Sequence, residues 1–208
     1  MELVVLNKQG KETGRKATLS ADVFGIEPNQ HVVWLDVKQY LANQRQGTHK
    51  SKQRAEIARS TKKIVRQKGS GGARHGSMKS PIYVGGGRVF GPTPRDYSFK
   101  LNKKVKVLAR KSVLSARAAE NGISIVEDFS FDAPKTKAYI EFLNALSVAD
   151  NKTLFITASQ DNNVFLSSRN IPKAKVVSAD QINTYDLVNA DKVIISEGAL
   201  SKIESILN

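Results

Sequence analysis

Residues 153–207 read TLFIT (153–157), NNVFLSS (162–168), AKVVS (174–178), NTYDLVN (183–189), KVIIS (192–196) and ALSKIESIL (199–207), with short polar connectors between them. Short β-branched runs alternate with helix-length segments, and in the last of these Leu200, Ile203 and Leu207 fall on one helical face. Strands joined by helical crossovers pair in parallel, and a parallel sheet needs both faces covered. Upstream the alternation continues. Ile123–Glu127 reads as a strand. Thr136–Leu146 reads as a helix whose Tyr139, Phe142, Leu143 and Leu146 face inward. Lys103–Glu120 is a longer helix, with Val105, Leu108, Ala109, Val113 and Ala116 on one face and Asn121-Gly122 closing it. His31–Ala42 is the first helix, with Val33, Val37, Tyr40 and Leu41 as its apolar stripe. Ser20–Phe24 is a loop or short helical turn, Leu3–Leu6 a strand, and the polar stretch Asn7–Thr18, with Gly10 and Gly14, a turn or loop. The expected fold is α/β: a three-layer Rossmann-like domain with a mostly parallel sheet, assembled from residues 1–43 and 101–208. A long basic extended loop, residues 44–100, is inserted after the first helix.

Charge separates that loop from the rest. The chain carries 33 Lys or Arg against 19 acids, a formal +14, with a sequence pI near 10.0. Between Gln44 and Lys111 stand nineteen bases and two acids, Glu56 and Asp96, a net +17. The remaining fourteen bases and seventeen acids leave −3. From Gln44 to Lys100 the apolar residues are few and aperiodic. The segment is punctuated by Gly69, Gly71, Gly72, Gly76, Gly85, Gly86, Gly87 and Gly91, and by Pro81, Pro92 and Pro94. Such a stretch buries too little apolar surface to offset its conformational entropy, so alone in water it is expected to be mobile. It is not a repetitive linker, however: Tyr83, Phe90, Tyr97 and Phe99 lie among the cations. Cations neutralise phosphates and aromatic rings stack on unpaired bases, so the expected partner is RNA. Folded back on itself, a 57-residue insertion has a reach of at most roughly 90 Å at about 3.3 Å per residue.

Other chemistries lack their residues. There is no cysteine, so thiolate nucleophiles, disulfides and zinc–thiolate sites are excluded. His31, His49 and His75 do not have metal-ligating spacing. Neither the GxGxxG fingerprint after a strand nor a GxxxxGK[ST] loop is present. Gly69-Ser-Gly-Gly-Ala-Arg74 imitates a phosphate cradle but follows no hydrophobic strand. Glu127 and Asp128 are neighbours that end a strand rather than a catalytic pair. Ser196-Glu197-Gly198 reads as the N-cap entry to the last helix. His75 reads as a hydrogen-bonding surface residue rather than a general base. No catalytic residue, cofactor or metal is expected, so an RNA-modifying enzyme is disfavoured. A transcriptional regulator lacks its helix-turn-helix, and a membrane binder lacks its amphipathic basic helix. The N-terminus has no basic region preceding an apolar core, so a cytoplasmic protein is the expectation.

Specific motifs then occur in order: Arg45-Gln-Gly-Thr48, Arg54-Ala-Glu56, Lys62-Lys63, Arg66-Gln-Lys-Gly-Ser-Gly71, Ala73-Arg-His-Gly-Ser77, Lys79-Ser-Pro81, Gly86-Gly87, Phe90-Gly91, Pro94-Arg-Asp96 and Asn102-Lys-Lys104. Ala133-Pro-Lys-Thr-Lys137 and Tyr185–Ile195 extend the series. The chain resembles, over nearly its whole length, the bacterial large-subunit ribosomal protein four family. The resemblance implies a structural constituent of the large subunit in the cytoplasm, not an enzyme. It implies a primary 23S rRNA binder that acts early in assembly and contacts several rRNA domains. It also implies a loop that forms part of the peptide exit tunnel wall, with neighbouring ribosomal proteins and the nascent peptide as further partners and no membrane. The candidate RNA contacts are Arg45, Lys50, Lys52, Arg54, Arg59, Lys62, Lys63, Arg66, Lys68, Arg74, His75, Lys79, Arg88, Arg95, Lys103 and Lys104. By the match of motifs, the tunnel tip is Arg66, Gln67, Lys68 and Gly69. Two departures lie near that tip. Ile64-Val65 stands where many relatives have Pro-Trp, and Gly72 stands where relatives often have Arg.

Overall fold

The computed structural model describes residues 1–208, which form two compact units: Met1–Leu41 with Lys100–Asn208, and Ala42–Phe99. The first unit holds six strands: β1 (Glu2–Leu6), β2 (Glu12–Thr18), β3 (Ile123–Val126), β4 (Thr153–Thr157), β5 (Ala174–Ser178) and β6 (Lys192–Ser196). Its helices are α1 (Ala21–Phe24), α2 (Gln30–Asn43, whose last two residues fall in the second unit), α3 (Lys103–Ala119), α4 (Thr136–Ala145), α5 (Asn162–Ser168), α6 (Thr184–Asn189) and α7 (Glu197–Leu207). The strands form one sheet in the order β2-β1-β3-β6-β4-β5, parallel except for the β1–β2 pair.

Strand alternation sorts the core into two clusters. Ile125, Leu154, Ile156, Val193 and Ile195 pack with Val23, Phe24, Val113, Leu114, Leu187 and Ile203 from α1, α3, α6 and α7. The intervening Val126, Phe155, Val176 and Ile194 pack with Tyr139, Phe142, Leu143 and Val164 from α4 and α5. All five residues of β4 are buried, as expected of a central parallel strand. The Phe129 ring stacks on Phe155 at 5.5 Å.

Three local expectations are corrected. The stretch read as a turn or loop, Asn7–Thr18, contains an antiparallel edge strand. Asn7 Oδ1 accepts the N–H groups of Gln9 and Lys11, each at 2.9 Å, to make the turn. The chain then returns as β2. That strand is polar (Glu12, Arg15, Lys16) because it is an edge, and charge on an edge discourages further pairing. In α2 the stripe Val33, Val37, Tyr40 and Leu41 is only partly the inward face: Val33 packs against the core, and Val37 and Tyr40 are half-buried. Asp36 and Gln39 are the buried residues, whereas Leu41 is exposed. Thr184 Oγ1 donates to the Asp36 carboxylate and Tyr40 stacks on Tyr185 at 5.0 Å, so α2 is held by polar and aromatic contacts to α6. In α3, Leu108 is exposed and Ala116 half-buried, while Ser112 and Ser115 turn inward. Their hydroxyls accept the Asn29 and Ile26 N–H groups, each at 3.2 Å, and Ser115 Oγ donates to Val23 O at 3.1 Å. Buried serines that fasten a neighbouring backbone do not register in a hydrophobic pattern. The Asn121-Gly122 ending agrees with expectation: Asn121 has φ +53° and Gly122 N–H donates to Arg117 O at 2.8 Å.

Tyr139 is fully buried and its hydroxyl has no hydrogen-bond partner, so burial raises the phenol well above its ordinary pKa. An unpaired buried hydroxyl is destabilising, so Tyr139→Phe is expected to raise unfolding stability by about 1 kcal/mol, read as a higher urea midpoint at unchanged slope.

Candidate nucleic-acid interface

Fourteen of the sixteen candidate RNA contacts lie in the second unit. From Gln44 to Phe99 the backbone forms no helix or extended strand, only an isolated antiparallel bridge between Lys63 and Ser77. It nevertheless folds back on itself. Arg95 N–H donates to Gly47 O, Ser51 N–H to Pro92 O, Arg88 N–H to Lys52 O and Ile64 N–H to Gly76 O, at 3.0–3.2 Å. These four bonds tie an outgoing arm to a returning arm. Arg66, Gln67, Lys68 and Gly69 fall in the turn between the last pairings, and Gly69 has φ +87°, a backbone state that suits glycine. Elsewhere glycine serves contact. A Cβ on Gly87 would stand 2.4 Å from the Arg54 backbone nitrogen, so the arms meet there only because no side chain intervenes.

The arms enclose an open concavity of about 1470 Å³. Arg54, Lys63, Arg74, His75, Lys79 and Arg88 line it together with Phe90, and no carboxylate does. Phe90 is fully exposed and has φ +50°, a strained state for an aromatic residue. Five formal cations around one cavity repel each other and attract a polyanion. The segment's two acids are occupied locally. Glu56 accepts from Lys50 Nζ and from Gln53 N–H, which lowers its pKa. Asp96 accepts from Ser98 N–H and Oγ, each at 2.8 Å, with the same effect. Both therefore stay ionised to lower pH than an ordinary carboxylate.

The remaining candidates are distributed differently. Arg45 and Arg95 lie over the Tyr97 ring, 3.7 and 4.2 Å from its centroid, and the Tyr97 hydroxyl sits 3.3 Å from His49 Nε2. This tyrosine, expected to meet a base, is engaged by two guanidinium groups instead. Arg59 donates to Val84 O at 2.7 Å and supports the returning arm. Lys50 pairs with Glu56. Lys52, Lys62, Arg66 and Lys68 are exposed outside the concavity. Among the aromatics, Tyr83 lies against His75 at 5.6 Å, Phe99 is half-buried, and Phe90 is the ring left open. The sequence reading missed the Arg45–Tyr97–Arg95 stack, because positions 45 and 97 are far apart in the chain and only the fold-back joins them. Lys103 and Lys104 lie by themselves in the first unit, in an α3 first turn that holds no acid. Lysines there oppose the helix dipole, an arrangement that an incoming anion relieves.

The sheet's carboxyl edge has a different character. A cavity of about 450 Å³ opens where nucleotide-binding α/β sheets hold phosphate, beside Asp128, Phe129, Thr157, Asp161 and Ser196. Its helix N-termini are already occupied. Asp128 accepts Gly198 N–H of α7 at 3.0 Å, and Asp161 accepts the Asn163 and Val164 N–H groups of α5. The expected N-cap, Ser196, makes no capping bond, and its hydroxyl is buried without a partner. The capping group comes from across the sheet because Asp128 follows β3, the neighbour of β6. Two carboxylates where phosphate would sit oppose nucleotide binding at this edge.

The sequence profile of the Ribosomal protein L4/L1 family matches residues 17–206. The chain belongs to this family. The match takes in every residue of the concavity and the sheet from the end of β2 onward. Among similar family members, "Large ribosomal subunit protein uL4" of Cytophaga hutchinsonii is 63% identical over 208 residues, with all of both chains covered. The proteins of the same name from Phocaeicola vulgatus and Flavobacterium psychrophilum are 58% and 57% identical, again over the whole of both chains.

Replacing Gly87 by Ala should loosen the second unit by forcing the two arms apart at Arg54. Hydrogen exchange at Lys52–Arg54 and at Arg88 is expected to accelerate, while amides of β4 and β6 keep their protection.

Proposed function

We propose that the chain is a structural constituent of the large ribosomal subunit, working in the cytoplasm as a primary 23S rRNA-binding protein. The observation that carries this reading is the concavity of Arg54, Lys63, Arg74, His75, Lys79 and Arg88, which no carboxylate lines. In this reading residues 1–43 and 101–208 form a three-layer Rossmann-like body, and residues 44–100 are a loop that threads between rRNA helices. Arg and Lys neutralise crowded phosphates from several rRNA domains, and Phe90 meets a base. Arg66, Gln67, Lys68 and Gly69 reach the exit tunnel, where they line the wall and meet the nascent peptide. Neighbouring large-subunit proteins contact the body. The chemistry is neutralisation and packing of RNA during early assembly, with no bond made or broken. The family membership and the whole-length similarity to proteins named for the large subunit support it.

RNA binding of this kind is strongly salt-dependent. Each phosphate contact contributes about 0.7 to 0.9 to the slope of log affinity against log salt. Replacing Arg54, Arg74 and Arg88 together by Gln is expected to flatten that slope by about 2 to 3 in filter binding to a 23S rRNA transcript. A variant lacking residues 60–80 should keep the body's melting transition by circular dichroism. In cells, sucrose gradients should then reveal stalled large-subunit precursors. Normal subunits assembled with that variant would defeat the proposal.

A further inference from the structure

Trp34 is the chain's single tryptophan, and 53% of its surface is exposed. It stands on α2, in the body and outside the basic segment. A half-exposed indole has the apolar body and polar edge that suit an interface, where tryptophan is enriched. Its surroundings say which partner. His31, one turn earlier, stacks against the indole with ring centroids 5.9 Å apart and planes inclined by 25°. Lys38, one turn later, holds its ammonium 4.6 Å from the ring centroid. Both flanking side chains are exposed, and Leu41 continues the same outward side. The one acid of α2, Asp36, is turned inward to Thr184, so no carboxylate of this helix reaches the outer face.

We propose that His31, Trp34 and Lys38 form a stacking platform for an unpaired RNA base, a second RNA contact on the body and separate from the loop. The chemistry is that of single-strand recognition: an aromatic face takes the base, and an adjacent cation takes the flanking phosphate. A face built to dock on protein would repeat apolar residues at helical spacing. Here Lys38 stands between Trp34 and Leu41, and Val33 and Val37 are half-buried. The i, i+3 contact of His31 holds the indole in place before the base arrives, which lowers the entropy lost on binding, and the base takes the face that the flexible Lys38 ammonium vacates as it moves to the phosphate. The proposal rests on the rRNA-binding reading above, and its test separates the two.

The test uses the full chain with a 23S rRNA transcript, exciting the lone tryptophan at its red edge. Base stacking should quench Trp34 emission and shield it from acrylamide. Trp34→Ala should weaken RNA affinity between roughly 5-fold and 100-fold, the range for losing one stacked base. Trp34→Phe should recover most of that loss, and Lys38→Gln should lower the salt slope by about 0.7 to 0.9. Both positions are exposed, so melting temperatures should not move. If the wild-type chain binds RNA while Trp34 stays bright and accessible, the platform is wrong and the loop reading stands. If the wild-type chain does not bind RNA, the loop reading itself fails. An indole accessible on naked rRNA but shielded in intact large subunits would assign this face to a neighbouring protein and overturn the proposal.

Discussion

Crowding of like charge in residues 42–99 is the constraint to which the rest of the molecule answers. Cations that share a cavity raise one another's energy, and in the second unit no carboxylate is free to compensate. Glu56 and Asp96 are each held by residues of their own neighbourhood. The unit contains few apolar residues with which to offset that repulsion, and several of them, including Ile82, Val84 and Phe90, point to solvent. It therefore relies on a handful of cross-arm backbone bonds and on arginines spread over Tyr97. The body solves the opposite problem. It is close to neutral, it buries its central strands on both faces, and its stability comes from apolar contact that salt scarcely affects. A chain divided in this way keeps a folded anchor while the other unit stays poised for a polyanion.

The alternation of strands and helices from Ile123 to Leu207 was legible because parallel strands buried on both faces must be apolar runs, and β3, β4, β5 and β6 are. The basic segment was legible because charge and glycine accumulate together there. What escaped was structure held by polar groups. Strand β2 has no hydrophobic face to betray it and exists because β1 offers it a backbone partner. The most deeply buried residues of α2, beside the half-buried Val33, are Asp36 and Gln39, satisfied by partners that a helical wheel cannot see. In α3, Ser112 and Ser115 fasten residues 23–29 from buried positions, while Leu108 on the same face stays exposed. In the second unit, the identity of the cationic residues could be read directly, but their grouping could not. Which of them share the concavity depends on the register of the fold-back, and Arg45, Arg59 and Arg95 are committed to contacts within the protein.

The two units also differ in how they treat anions. In the second, cations converge with nothing to oppose them. At the carboxyl edge of the sheet, positive helix ends are the natural feature, and Asp128 and Asp161 cover them. A polyanion is thereby attracted to the concavity of the second unit and opposed at the carboxyl edge of the sheet.

Asp128 covers the amide end of α7 from the neighbouring strand. The crevice that comparable sheets offer to cofactors is therefore closed here by side chains of the chain itself. Two neutral substitutions at that rim would uncover bare amide groups at the mouth of a ready-made crevice. A body altered in that way would be few changes away from holding a small anionic ligand, and as long as those acids remain the crevice stays closed to one.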